Sequence, residues 1–174
     1  TTNTLIFPIW MNKRLVGWQS RLLYNPNTLS DEECSAFGFM QDEDGDWVRP
    51  PKCWTSPGMP KGRVLLNFDG ARQTQYVVVA EGPVDVASIG PSGVGTLGKG
   101  ITDFQSRLLM AYWDTVIILL DPHGTDEATQ KLIRSLAYGV GAAIIVTLRD
   151  YDDPGEAPRA AIWQQIGRAL YDEH

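Results

Sequence analysis

The run Tyr76-Val77-Val78-Val79-Ala80 constrains this chain more than any other stretch, because it is apolar, largely β-branched and ends abruptly in Glu81-Gly82-Pro83. Such a run reads as a buried strand, the glycine and proline as a tight turn, and Val84-Asp85-Val86-Ala87 as the first turn of a helix. Glu81 then sits at the C-terminal edge of the strand and Asp85 on the first helical turn, so that both carboxylates point at one crevice. In open α/β sheets that edge is where ligands bind.

The same ending recurs downstream. Val116-Ile117-Ile118-Leu119-Leu120 delivers Asp121 and continues into Pro122-His123-Gly124, while Ala142-Ala143-Ile144-Ile145-Val146-Thr147 leads into Asp150, Asp152 and Asp153-Pro154. Parallel strands would bring these acids to one edge, where they would repel one another and raise each other's pKa unless a cation sits among them. A hard divalent ion such as magnesium takes oxygen ligands and keeps waters for a substrate phosphate. Acids at strand ends also cap helices, and each one taken singly carries both readings.

Strands are expected near 77–80, 94–97, 116–120 and 142–147, and helices near 83–90, 102–112, 125–138 and 158–171. Short alternating elements of this kind form a parallel sheet with crossover helices. In the third helix Ala128, Leu132, Ile133, Leu136 and Ala137 recur at helical spacing and form a core stripe. Asp126 and Glu127 at its start suit either the positive end of the helix dipole or a metal. Gly93-Val94-Gly95-Thr96-Leu97-Gly98-Lys99-Gly100 comes within one residue of a P-loop. Gly100 stands where the magnesium-binding hydroxyl belongs and no full strand precedes the run, so a short strand and turn with Lys99 facing the acids is expected instead.

Upstream, Leu5 to Trp10 and Leu15 to Arg21 flank the polar Asn12-Lys13-Arg14 as a β-hairpin. The stretch Ser30 to Asp46 is acidic, with apolar Phe37 and Phe39 and a turn at Asp44-Gly45-Asp46 that fits a second hairpin. Pro50 to Gly58 is extended, because each proline excludes its predecessor from helical geometry. Basic residues beside aromatics in this half either contact phosphates and stack bases or are solvated charges above a core edge.

The 174 residues suffice for one substantial core or a small lobe fused to a larger one, and the net charge of −6 argues against a whole-surface basic grip on nucleic acid while allowing a local one. Cys34 and Cys53 lack zinc-site spacing and read as reduced thiols in a cytoplasmic-type protein. No membrane span or signal peptide is expected. With Thr1 in place of an initiating methionine, the sequence is expected to be a fragment.

Val79-Ala80-Glu81-Gly82-Pro83-Val84-Asp85, Leu119-Leu120-Asp121 and Asp153-Pro154 resemble, in order and spacing, the acidic motifs of the Toprim domain. Phe7-Pro8-Ile9, Gly17-Trp18-Gln19-Ser20-Arg21, Pro51-Lys52 and Ser56-Pro57 are similar to the signatures that precede Toprim in DnaG-type bacterial and phage primases. The resemblance implies an α/β fold in which a Toprim-type parallel sheet flanked by helices (76–174) follows a small mixed, β-rich lobe (1–75). It implies a metal-dependent nucleotidyltransferase, using Mg2+ or Mn2+, that makes RNA primers on single-stranded DNA from nucleoside triphosphates in a bacterial or phage-infected cytoplasm. A replicative helicase is an implied partner; the zinc module and helicase-binding tail common in primases would lie on missing flanks.

Carried over residue by residue, the catalytic set is Glu81, Asp85 and Asp121, the metal set Glu81, Asp121, His123 and Asp153, and the nucleotide or template set Arg21, Lys52 and Lys99. The sequence departs from the family at Thr55, where asparagine is common, at His123, where a second acid is usual, and at Gly155, where a further acid tends to follow Asp-Pro. These departures leave a second class open, a catalytically silent Toprim module that binds nucleic acid or a replication partner. A Toprim-type nuclease would use the same acids.

Overall fold

The computed structural model describes residues 3–98, 100–119, 127–148, 150–151 and 153–171. Its first element is the expected hairpin, β1 (Thr4–Met11) and β2 (Arg14–Leu22), to which β3 (Cys53–Thr55) adds antiparallel in the order β1-β2-β3. The hairpin turns on Asn12 and Lys13, both left-handed at φ 53° and 62°, the conformation that a two-residue turn needs to match strand twist. Their N–H groups donate to the two carboxylate oxygens of Asp69 at 2.8 and 2.6 Å, fixing the turn to the second half of the chain.

Between β2 and β3 lies a helix that the sequence reading did not expect, α1 (Asp31–Ala36). Ser30 and Glu33 form a reciprocal capping box at its start, Ser30 Oγ accepting from Glu33 N–H and Glu33 Oε2 from Ser30 N–H. The second hairpin expected around Asp44-Gly45-Asp46 is reduced to one bridge between Gln41 and Trp47.

The second sheet is wholly parallel. A short α2 (Phe68–Ala71) precedes β4 (Tyr76–Ala80), α3 (Pro83–Ile89), β5 (Gly93–Gly95), α4 (Asp103–Tyr112), β6 (Thr115–Ile118), α5 (Glu127–Gly139), β7 (Ala142–Ile145) and α6 (Arg159–Tyr171). Strand order is β5-β4-β6-β7, and each crossover carries a helix, as parallel pairing requires. Strand alternation divides the core into two. Val77, Val79, Val116 and Ile118 pack with Phe68, Leu109, Trp113 and Leu136 on one face, and Val78, Ala80, Ile117 and Leu119 pack with Ile89, Ile162 and Ile166 on the other.

Two expectations change. The core stripe of α5 is narrower than its spacing implied: Ile133 and Leu136 are buried and Ala137 is exposed, while the side chains of Ala128 and Leu132 lie outside the described set. The glycine run supplies only β5 and a turn. Because α4 begins at Asp103, capped by Thr102, no helix opens at Gly100 to cradle a phosphate.

A third apolar cluster, Ile9 with Val64, Leu66, Val86 and Leu97, joins the hairpin to the parallel sheet. Leu66 also exchanges backbone hydrogen bonds with Gly95 at 2.9 and 3.2 Å, extending the edge of β5. Ile9 is fully buried, and side chains of this size contribute about 1.5–3 kcal/mol each when buried. The antiparallel sheet is thereby seated beside the C-terminal edge of the parallel one.

Candidate active site

Glu81 follows the last residue of β4 directly and is half-buried. Its backbone is held from the neighbouring turn, where Thr96 N–H donates to Ala80 O at 3.0 Å and Leu97 N–H to Glu81 O at 2.9 Å. Leu97 makes this bond from a left-handed conformation, φ 65°, which costs a non-glycine residue on the order of 1–3 kcal/mol and survives only where packing enforces it. The burial of its side chain among Ile9, Val64 and Val86 provides that packing. No pattern in the sequence pointed to Leu97.

Asp85 occupies the third position of α3. Its Oδ2 accepts the N–H of Gly82, the residue capping the helix, at 2.7 Å, so the carboxyl ties the turn and lies at the positive helix end. The capping reading offered by sequence therefore holds for Asp85. A second acid meets it there: Asp85 is hydrogen-bonded to Asp153, 68 residues away. Asp85 is only 7% exposed. Burial, then the Asp153 hydrogen bond and its negative charge, push the Asp85 carboxyl from 3.8 up to about 7, against the opposing Gly82 N–H and Arg21.

Asp153 moves the other way. Burial alone would raise it, but the hydrogen bond from Asp85, the N–H of Gly155 and the charges of Arg21 and Lys52 outweigh burial and hold it below 3.8. The two carboxyls thus share one proton, carried by Asp85 and donated to Asp153. Gly155 N–H reaches Asp153 Oδ1 at 2.7 Å. A Cβ on Gly155 would lie 2.9 Å from Val84 Cγ1 and 3.0 Å from Asp85 Oδ1, so this turn has no room for the acid expected there. Glu156, the nearest replacement, is exposed.

The cations come from the antiparallel sheet. Arg21 and Cys53 are paired across β2 and β3, and Lys52 O accepts from Leu22 N–H at 2.9 Å, so Arg21 and Lys52 emerge side by side. A guanidinium nitrogen of Arg21 lies 3.9 Å from the position a Cβ on Gly82 would take. On the same sheet face, Gln19 and Thr55 are cross-strand partners, and Gln19 Oε1 and Thr55 Oγ1 are buried without a hydrogen-bond partner among the described residues. Buried polar atoms left without a partner, here an amide oxygen and a hydroxyl, normally cost about 1–3 kcal/mol each. Gln19 lies within the Gly17-Trp18-Gln19-Ser20-Arg21 signature, but sequence reasoning assigned it no role of its own beside Arg21.

Asp121, His123 and Lys99 lie outside the described residues. Among the described residues no three His, Cys, Asp or Glu side chains are grouped so as to hold a metal ion. Cys34 and Cys53 are free thiols, and no described helix is long and apolar enough to cross a membrane. A cavity of about 650 Å³ opens between β1, α2 and α3, lined by Phe7, Trp10, Pro83 and Val86. None of Glu81, Asp85 or Asp153 lines it, so the chemistry of the acids belongs to the crevice and not to this cavity.

The sequence matches no family model and no curated protein. Solved structures do match. The E. coli primase catalytic core superposes with a TM-score of 0.64 at 24% identity, covering 96% of this chain and 52% of that one. A DNA primase domain from Pseudomonas aeruginosa gives 0.65 at 22%, covering 96% and 51%. The fold is that of the DnaG-type primase core. A DnaG primase catalytic domain bound to single-stranded DNA matches at 0.63 and 21%, over 96% and 52%. The chain spans about half the length of these primase structures, and the likeness at such identities is one of fold.

Within the primase fold, the described donors at the Toprim edge are all carboxylate oxygens, a set suited to a hard divalent cation.

Proposed function

We propose that the chain is the nucleotidyl-transfer core of a DNA primase, making RNA primers on single-stranded DNA from nucleoside triphosphates. The observation that carries this reading is the meeting of Asp85 and Asp153 under Arg21 and Lys52, acids from one sheet and cations from the other, in a primase fold. Glu81, Asp121, His123 and Asp153 would hold Mg2+ or Mn2+, which when bound neutralises phosphate charge during displacement. Arg21, Lys52 and Lys99 orient the triphosphate and template backbone as fixed positive charges. Glu81, whose backbone carbonyl accepts from Leu97 N–H, would take the proton of the primer 3′-hydroxyl. Asp85 holds the turn and surrenders its proton as the site charges. Catalysis would rest on positioning and on charge stabilisation in a partly dry crevice.

The test is template-directed synthesis on single-stranded DNA with labelled ribonucleotides, for wild type and Glu81→Gln. Primer products that vanish in the variant support the reading; no product from a folded wild type with either metal overturns it. The second reading, a catalytically silent Toprim module, draws on Gly155, whose turn leaves no room for a further acid. It predicts nucleic-acid binding unaffected by Glu81→Gln.

A further inference from the structure

β2 and β3 are neighbours in one antiparallel sheet, a connection that usually takes about 2–5 residues, yet the chain leaves the sheet after Leu22 and returns only at Cys53. The excursion, residues 23–51, is not a slack loop. A capping box opens α1, Cys34 is fully buried, and Trp47 Nε1 donates to Asp31 Oδ1 at 2.9 Å. Asp42 Oδ1 accepts the N–H groups of Asp44 and Asp46 at 3.1 and 2.9 Å. The segment contains none of the residues assigned to the metal, the nucleotide or the template, so nucleotidyl transfer does not account for its order.

That order holds apolar side chains in water. The rings of Tyr24, Phe37 and Phe39 stack in succession, Tyr24 on Phe37 at 4.7 Å and Phe37 on Phe39 at 5.9 Å, with interplanar angles of 19° and 24°. Phe37, the middle ring, is still 45% exposed, and Met40, which follows Phe39, is 75% exposed. Val48, also exposed, donates its N–H to Met40 O at 2.8 Å. Single apolar residues at a surface are ordinary. Stacked rings continued along the chain by an open methionine and its valine neighbour, fixed before anything binds, mark a docking surface.

Charge identifies the occupant. Seven of the chain's 21 acids fall within the excursion, at positions 31–33, 42–44 and 46. All seven are exposed, and none makes an ion pair among the described residues. Arg49, the one cation of the segment, is half-buried and donates to Leu29 O at 3.2 Å. Phe37 lies one helical turn beyond Glu33, its N–H donating to Glu33 O at 2.9 Å, and Met40 leads through Gln41 into the Asp42 turn. An acidic run alone is a solvated surface, and it repels the anionic backbone of nucleic acid. Rings bordered by unpaired carboxylates match a polypeptide that carries guanidinium or ammonium groups beside apolar anchors, because such cations pair with the acids and lie over ring faces.

We propose that residues 23–51 form a docking surface for a basic segment of a protein partner, its apolar side chains seated against Phe37 and Met40 and its Arg or Lys side chains paired with the surrounding carboxylates. This interaction goes beyond nucleotidyl transfer and does not depend on it.

Fluorescence anisotropy of a labelled peptide of alternating arginine and leucine, about ten residues long, tests it in EDTA without nucleotide or DNA. Wild type is compared with Phe37→Ser/Met40→Ser and with Glu32→Gln/Glu43→Gln/Asp44→Asn/Asp46→Asn. The four carboxylates of the second variant make no hydrogen bond among the described residues, so their loss leaves the excursion folded. Each variant binds the peptide roughly 10-fold more weakly than wild type, and a peptide of alternating arginine and glycine binds wild type weakly as well. Amide NMR shifts on titration of wild type fall within residues 23–51. A wild type that does not bind, or that binds no better than the two variants while all show native circular dichroism, overturns the proposal. So does equal affinity for the arginine–glycine peptide, which leaves only non-specific charge, and so do amide shifts confined to the turns of Asp85 and Asp153. Failure of Glu81→Gln to alter synthesis would leave this result untouched, which separates the two readings.

Discussion

Replacing Asp85 by asparagine tests the shared proton directly. Asp85 titrates at about 7 in the folded chain against 3.8 when unperturbed. A raised folded pKa means that its contribution to stability is complete below the unfolded value and is lost as pH climbs through about 7. Between pH 5 and 8 the wild type should therefore lose about 2–3 kcal/mol through this one group, from 1.36 kcal/mol per pKa unit. For a chain of this size that corresponds to a fall in Tm of roughly 5–10 °C. The amide introduced by Asp85→Asn would keep an acceptor for Gly82 N–H and a donor for Asp153 but cannot ionise, so the variant should lack this part of the loss. The lowered pKa of Asp153 acts near and below pH 4, outside the window, and all other groups are common to both proteins. Urea unfolding of both proteins in EDTA at pH 5, 6, 7 and 8 reads the difference. Parallel curves, with wild type and variant losing the same stability, would refute the proton-sharing pair.

Arg21→Gln removes a charge that lowers both carboxyls, so both should titrate at higher pH, which carboxyl carbon NMR shifts would follow. Gly155→Ala forces a methyl to within 2.9 Å of Val84 and 3.0 Å of Asp85 Oδ1; a loss of about 1–3 kcal/mol in urea unfolding is expected for such overpacking. Gln105→Leu strips the buried amide whose Nε2 donates to Lys61 O, Val64 O and Thr96 O at 3.1, 2.9 and 2.9 Å. Leaving those carbonyls unpaired should cost about 2–4 kcal/mol, measured the same way.

How far the sequence could be read followed from where each signal lies. β4 and β6 were legible because residues buried on both faces leave an apolar run with few alternatives, and the acid after β4 was legible because Gly82 and Pro83 end the strand where Glu81 begins the turn. α1 was missed although Ser30 and Glu33 carry a capping-box spacing, since no apolar stripe follows them. The direct pairing of Asp85 with Asp153 could not come from local spacing, as the partners meet only once the parallel sheet is assembled; the strand pattern put both acids at one edge but gave no sign that these two would touch. Gly155 read as a loss of an acid, and the structure gives the physical reason: its N–H holds Asp153 and its missing side chain leaves room for Asp85. Gln19 and Leu97 act through cross-strand register or backbone conformation, neither of which leaves a mark in residue type, and Thr55 stood out only as a departure from the family's asparagine.

The most direct measurement of the central claim, that one crevice brings acids to a cation and cations to a triphosphate, is calorimetric titration of Mg2+ and then Mn2+ near pH 6.5, repeated in buffers of different ionisation enthalpy, with and without a nucleoside triphosphate. The account predicts cation binding that releases a proton from Asp85, tightens with triphosphate, and is lost in Glu81→Gln. A folded protein that binds neither cation, or that binds one with no proton released and no response to triphosphate, would contradict it.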